Sequence, residues 1–166
     1  PTSIENAYRF IKNSFFRQVF HNSKNFGLKS VVTPILRTDN PYNITTPKTL
    51  IDYFNKLGGS NTVFIEEQLQ IFMPKIILNQ VRTEKDKLVG LAMKDACSKY
   101  FNLNMTFLGY ISEDESVWKS VLNRKPLAVA SPDSVPMQQL KKICTDILLE
   151  ETELTSKNNL LSRLAQ

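Results

Sequence analysis

Lys75-Ile76-Ile77-Leu78-Asn79-Gln80-Val81, directly after Pro74, is the stretch on which the fold turns. A continuous apolar run this short predicts a strand buried on both faces. From 84 to 101 the apolar residues return at helical spacing. Val89, Met93, Ala96, Cys97 and Tyr100 are the expected core face. Residues 105–111 predict a second buried strand. Strand, helix, strand is the order of a parallel pair joined by a crossover.

Downstream, Glu113-Asp114-Glu115 predicts a helix start, because carboxylates favour the positive end of a helix dipole. Further helices are expected over 134–149 and 154–165. Upstream, residues 2–21 predict a helix with Thr2 and Glu5 as a capping box and Ile4, Tyr8, Ile11, Phe15 and Val19 on one face. Residues 22–47, with Gly27, Pro34, Pro41 and Pro47, read as irregular. Within them 31–36 is an edge strand interrupted by Pro34, a linker-like insertion or an ordered loop. Pro47 at a first helical position opens a helix to about Leu57, ended by Gly58-Gly59. Ser60 or Asn61 caps another, to about Phe72. Two strands against about six helices is a deficit, since two parallel strands cannot cover so many helices. With a chain that opens on Pro1-Thr2-Ser3 at a helix start, the deficit predicts a segment of a longer protein. The expected fold class is therefore α/β: part of a parallel sheet flanked by helices, helix-rich. Residues 1–149 form one domain, with 22–47 an insertion, and 150–166 form a tail.

The 166 residues carry 21 Lys and Arg against 16 Asp and Glu, without a block of like charge. A scattered excess of five reads as a solvated basic surface and makes nucleic acid an unlikely partner. Cys97 and Cys144 lack metal-ligand spacing and read as buried, reduced thiols in helices, which fits the cytoplasm. No stretch approaches the about 20 apolar residues of a membrane span. Asn43-Ile44-Thr45 and Asn104-Met105-Thr106 match the glycosylation pattern by chance in such a chain. His21, the one histidine, reads as a dipole partner at a helix end.

The standard catalytic kits are missing. The five glycines (27, 58, 59, 90 and 109) are too scattered to form a phosphate cradle, and one histidine cannot supply a Ser–His–Asp set. The feature that points to a ligand is positional. Asn79 falls at the carboxyl end of the first strand and Ile111-Ser112 at that of the second, where open α/β sheets bind ligands. An Asn amide carries donor and acceptor together and can read a purine edge, or else it caps the following loop.

At these residues the chain resembles the C-terminal half of a MinD/ParA-type P-loop ATPase, closest to the FlhG branch of flagellar-number regulators. The likeness is carried by Pro1-Thr2-Ser3-Ile4 with Asn6-Ala7-Tyr8, by Ile76-Ile77-Leu78-Asn79-Gln80-Val81, by Leu108-Gly109-Tyr110-Ile111-Ser112-Glu113-Asp114-Glu115-Ser116-Val117, and by Arg124-Lys125-Pro126 followed by Ser131-Pro132-Asp133-Ser134. It covers about 1–12 and 74–149.

The resemblance implies an ATP-binding switch protein of cell positioning or flagellar assembly, with Asn79 as adenine reader and Gln80, Ile111, Ser112 and Glu113 around the base. Gln80 stands where many relatives have Arg, and Ser112 where many have Pro. The resemblance implies ATP or ADP with Mg in the parent protein. The phosphate loop and metal-binding residues lie outside this sequence, so the chain alone is expected not to hydrolyse ATP. It also implies a homodimer or protein partner, and a membrane surface reached through Leu154, Leu160, Leu161 and Leu164 in the tail, giving a cytoplasmic or peripheral inner-face location. The alternative is a non-enzymatic α/β binding or interaction module.

Overall fold

A computed structural model describes residues 2–37, 40–59 and 61–164; of Thr2, Phe26, Glu151 and residues 153–164 it describes the backbone alone. The elements in order are α1 (Thr2–Asn22), α2 (Phe26–Leu36), α3 (Pro47–Lys56), α4 (Thr62–Ile71), β1 (Lys75–Val81), α5 (Glu84–Ala96), a π turn (Cys97–Phe101), β2 (Thr106–Ser112), α6 (Glu115–Leu122), α7 (Leu127–Ala130) and α8 (Val135–Leu164). They form two compact units, residues 1–74 with 93–106 and residues 75–92 with 107–166.

The first unit is helical. Phe15, Phe16 and Val19 of α1, Leu28 and Val32 of α2, Leu50 of α3 and Ile65 of α4 are wholly removed from solvent. Phe15 meets Phe16 and Phe72 edge to face, with ring centroids 5.8 and 5.6 Å away. The expected strand or loop over 31–36 is helix instead. Asn25 caps α2 by accepting from the Leu28 N–H, and Leu28, Val31, Val32 and Ile35 are buried at helical spacing. Burying each such side chain stabilises by about 1.5–3 kcal/mol. Together they outweigh the roughly 3 kcal/mol that a proline costs inside a helix. Pro34 sits in the last turn, where its carbonyl accepts from the Arg37 N–H.

Two side-chain caps are expected in this unit. The Thr2 side chain of the capping box, and Ser60, lie outside the described residues. Asn61 stands at the α4 cap position but makes no capping bond; its Oδ1 accepts from Asn25 Nδ2 at 2.8 Å. At the far end, the π turn widens the helix after Ala96. That extra width rotates Tyr100 outward, to 61% exposure, against the core position expected for it. Phe101 takes the inward place and stacks on Tyr8 at 5.7 Å, and Asn102 ends the turn at φ 55°.

The second unit holds the sheet, which pairs β1 with β2. The Thr106 N–H donates to the Pro74 carbonyl and the Glu113 N–H to the Val81 carbonyl. Both bonds span the same sequence separation, and a constant offset is the mark of parallel strands. The fold is thus α/β and helix-rich, with a two-stranded parallel sheet flanked by helices.

Three expectations about this unit change. β2 starts and ends one residue later than expected. Neither strand is buried on both faces: Lys75, Ile77 and Asn79 are exposed, and β2 is half-buried throughout. The two helices expected over 134–149 and 154–165 are one, α8, because nothing in Glu150-Glu151-Thr152-Glu153 breaks its backbone; residue 165 lies outside the described residues. Cys97 is buried, whereas Cys144 is exposed on α8. Gly90 of α5 lies against Phe107 of β2, so closely that a Cβ there would run into the ring. Gly109 adopts φ +136° where β2 passes Ile143 of α8. Among the described residues no helix is long and apolar enough to cross a membrane.

Candidate functional site

The carboxyl ends of β1 and β2 open onto a cleft of about 620 Å³ lined by Asn79, Gln80, Ser112, Glu113, Asp114, Glu115, Val117, Trp118 and Val121. All belong to the second unit. Two of these positions come from a local break in β1. Up to Leu78 the side chains alternate, with Ile76 and Leu78 half-buried and Ile77 exposed. Gln80 then takes φ +58°, a left-handed conformation that costs a non-glycine residue roughly 1 kcal/mol. The parity reverses, so Asn79 and Gln80 are both exposed and Val81 turns inward. Such breaks re-aim side chains at strand ends.

The amides here have assignable orientations. The Gln80 N–H donates at 3.0 Å to an atom of the Asn79 amide, which must therefore be Oδ1. Asn79 Nδ2 points the other way, with two N–H groups for a ligand. Ser112 is held by Gln139 of α8 through two bonds. Its N–H donates to Gln139 Oε1 at 2.8 Å, and its Oγ accepts from Gln139 Nε2 at 2.9 Å. An oxygen that already accepts that bond keeps its own proton to donate elsewhere.

The carboxylates around the cleft are engaged. Glu113 takes a two-point contact from Arg82, Nη2 donating at 2.7 Å and Nε making the second bond. These bonds push the Arg82 guanidinium further up. Asp114 caps α6 by accepting from the Ser116 N–H at 2.8 Å, and the Ser116 hydroxyl and N–H hold its carboxyl below the ordinary aspartate range. Glu115 pairs with Lys119 at 3.1 Å. Among the described residues no three His, Cys, Asp or Glu side chains gather as a metal site.

Asn79, Gln80, Ser112 and Glu113 thus line one cleft, while Ile111, half-buried in β2, does not. Three apolar residues were missed. Val117, Trp118 and Val121 form the wall contributed by α6, and their signal was available: they stand at helical spacing on the helix that follows β2 directly. Gln139 was missed because nothing in sequence pairs a mid-helix glutamine with a strand end 27 residues earlier.

Comparisons with protein families, with curated proteins and with solved structures give no match.

Proposed function

We propose that this cleft is the base-binding side of a nucleotide site, with Asn79 as the adenine reader, in a switch protein of the MinD/ParA kind. The observation that carries the reading is the convergence of Asn79 and Ser112 on one cleft at the carboxyl ends of adjacent parallel strands. Their free hydrogens suit it: Asn79 Nδ2 and the Ser112 hydroxyl donate, and adenine offers ring-nitrogen acceptors at its edge. The remaining lone pair of Asn79 Oδ1 is an acceptor for the exocyclic amine. The likeness of 74–149 to that ATPase family points the same way.

In this reading the base end fits the residues present and the phosphate end does not. No described cluster would hold Mg, and no glycine-rich loop stands in the 166 residues. The phosphate-binding loop then belongs to another part of the parent protein, and ATP hydrolysis is not an activity of these residues alone. Calorimetric titration with adenosine and with ATP tests the proposal. The two ligands should bind with similar, modest affinity, and Asn79→Ala should weaken both by about tenfold, the effect of roughly 1.4 kcal/mol. An Asn79→Ala protein that binds adenosine as the unaltered protein does would sink it.

A further inference from the structure

We infer that Trp118 is the stacking platform of the cleft, and that the ligand is a nucleoside whose base lies flat against the indole. The inference rests on the base-binding reading above and adds the residue that supplies the apolar contact. Trp118 is the sole tryptophan of the chain and is 61% exposed although it lines a cleft. A large aromatic side chain left this open beside a concave surface has most of its ring available to a ligand. Val117 and Val121 continue the same wall. The start of α6 is fixed by the Asp114 cap, so the indole is carried on a regular helix rather than on a loop.

The rest of the lining is polar: Asn79 and Gln80 at the end of β1, Ser112 and Glu113 at and just beyond the end of β2, and Asp114 and Glu115 at the start of α6. A lining that combines an apolar wall with amide and hydroxyl groups fits a flat ligand with apolar faces and a hydrogen-bonding edge. The carboxylates narrow the choice. Glu113, Asp114 and Glu115 are engaged by Arg82, by the Ser116 N–H and by Lys119. A cationic ligand would find its counter-charges already neutralised or hydrogen-bonded. A neutral heteroaromatic ring needs none of them.

Because Trp118 is the single tryptophan, indole fluorescence reports from position 118 alone. The protein is titrated with adenosine, guanosine, cytidine, uridine and ribose, followed by fluorescence and by calorimetry. Trp118→Ala and Trp118→Phe are titrated calorimetrically and Asn79→Ala by both methods, with circular dichroism confirming the fold. Nucleosides should quench and ribose should not. Trp118→Ala should weaken adenosine about tenfold or more, and Trp118→Phe should restore most of the loss.

If adenosine binds without changing the fluorescence and Trp118→Ala leaves its affinity intact, stacking is wrong. The Asn79 reading then stands or falls on Asn79→Ala. Quenching by all four nucleosides that Asn79→Ala does not alter supports the platform and removes the adenine reading. Equal responses to ribose and adenosine, or no binding by any of the four nucleosides, overturns the platform.

Discussion

The two units differ in where their side chains are spent. In the first, α1 to α4 and the π-turn segment enclose a core of Phe15, Phe16, Leu28, Leu50, Ile65 and Leu103, all fully buried. In the second, the buried described residues are Val81, Gly90, Ser120, Pro136 and Ile143, and the strands are half-open. The cleft and its hydrogen-bonding groups belong to this sparser unit. The contrast teaches that close packing and the hydrogen-bonding groups of the cleft fall in different units. The first is held by packing, the second by placed polar contacts such as the Gln139–Ser112 pair.

The strongest attempt to break that contrast is Phe15→Ala. It should destabilise by about 3–5 kcal/mol, read from denaturant midpoints, as expected for an enclosed aromatic. A cost below about 1 kcal/mol would mean that the first unit does not depend on its core. In the second unit, Gly90→Ala should destabilise by about 1–3 kcal/mol. Helix propensity alone would favour it by about 1 kcal/mol, so a rise in Tm would show that the Phe107 ring simply moves aside.

Gln139→Ala sharpens the claim about placed contacts. It removes two hydrogen bonds worth about 1 kcal/mol each and should cost about 1–2 kcal/mol. Hydrogen exchange at the Ser112 amide should speed up more than at its strand neighbours; unchanged exchange would mean the clamp contributes nothing.

The smallest expected effect is acid sensitivity. Asp86 is held below the ordinary aspartate range by the Thr83 and Arg82 N–H groups, and Asp114 by Ser116; both belong to the second unit. A depressed carboxyl stabilises fully above its unfolded value, about 3.9, and the contribution is lost as pH falls through the folded value. The Asp86→Asn, Asp114→Asn protein should therefore lose less Tm between pH 5 and pH 2 than the unaltered one. Parallel slopes would rule out both carboxylates as the cause.

Legibility in the sequence was uneven in both units. β1 was readable to the residue from Ile76-Ile77-Leu78 just after Pro74, although the burial on both faces that the run implied is not found. The start of α6 was readable from Glu113-Asp114-Glu115, though not that Asp114 is its cap. By contrast α2 was hidden by one residue, Pro34, whose local preference hid a burial pattern otherwise plain at Leu28, Val31, Val32 and Ile35. The outward turn of Tyr100 was not readable, since a π turn is set by packing and has no sequence period of its own. At the site, strand ends located Asn79 and Ser112. The orientation of Ser112 depends on a glutamine from a distant helix, whereas the helical spacing of Val117, Trp118 and Val121 after β2 was a signal the sequence did carry.

The constant offset of the parallel pair also has a consequence in time. Residue 81 and its partner at 113 are separated by a whole crossover, so β1 cannot pair as a hairpin does. At ribosomal speeds of about 5–20 residues per second, β1 waits roughly 2–6 s for β2 to be made. The four helices that precede β1 are by then already synthesised. During that interval Ile76-Ile77-Leu78 is an apolar stretch without its strand partner, with backbone N–H and C=O groups still to be paired.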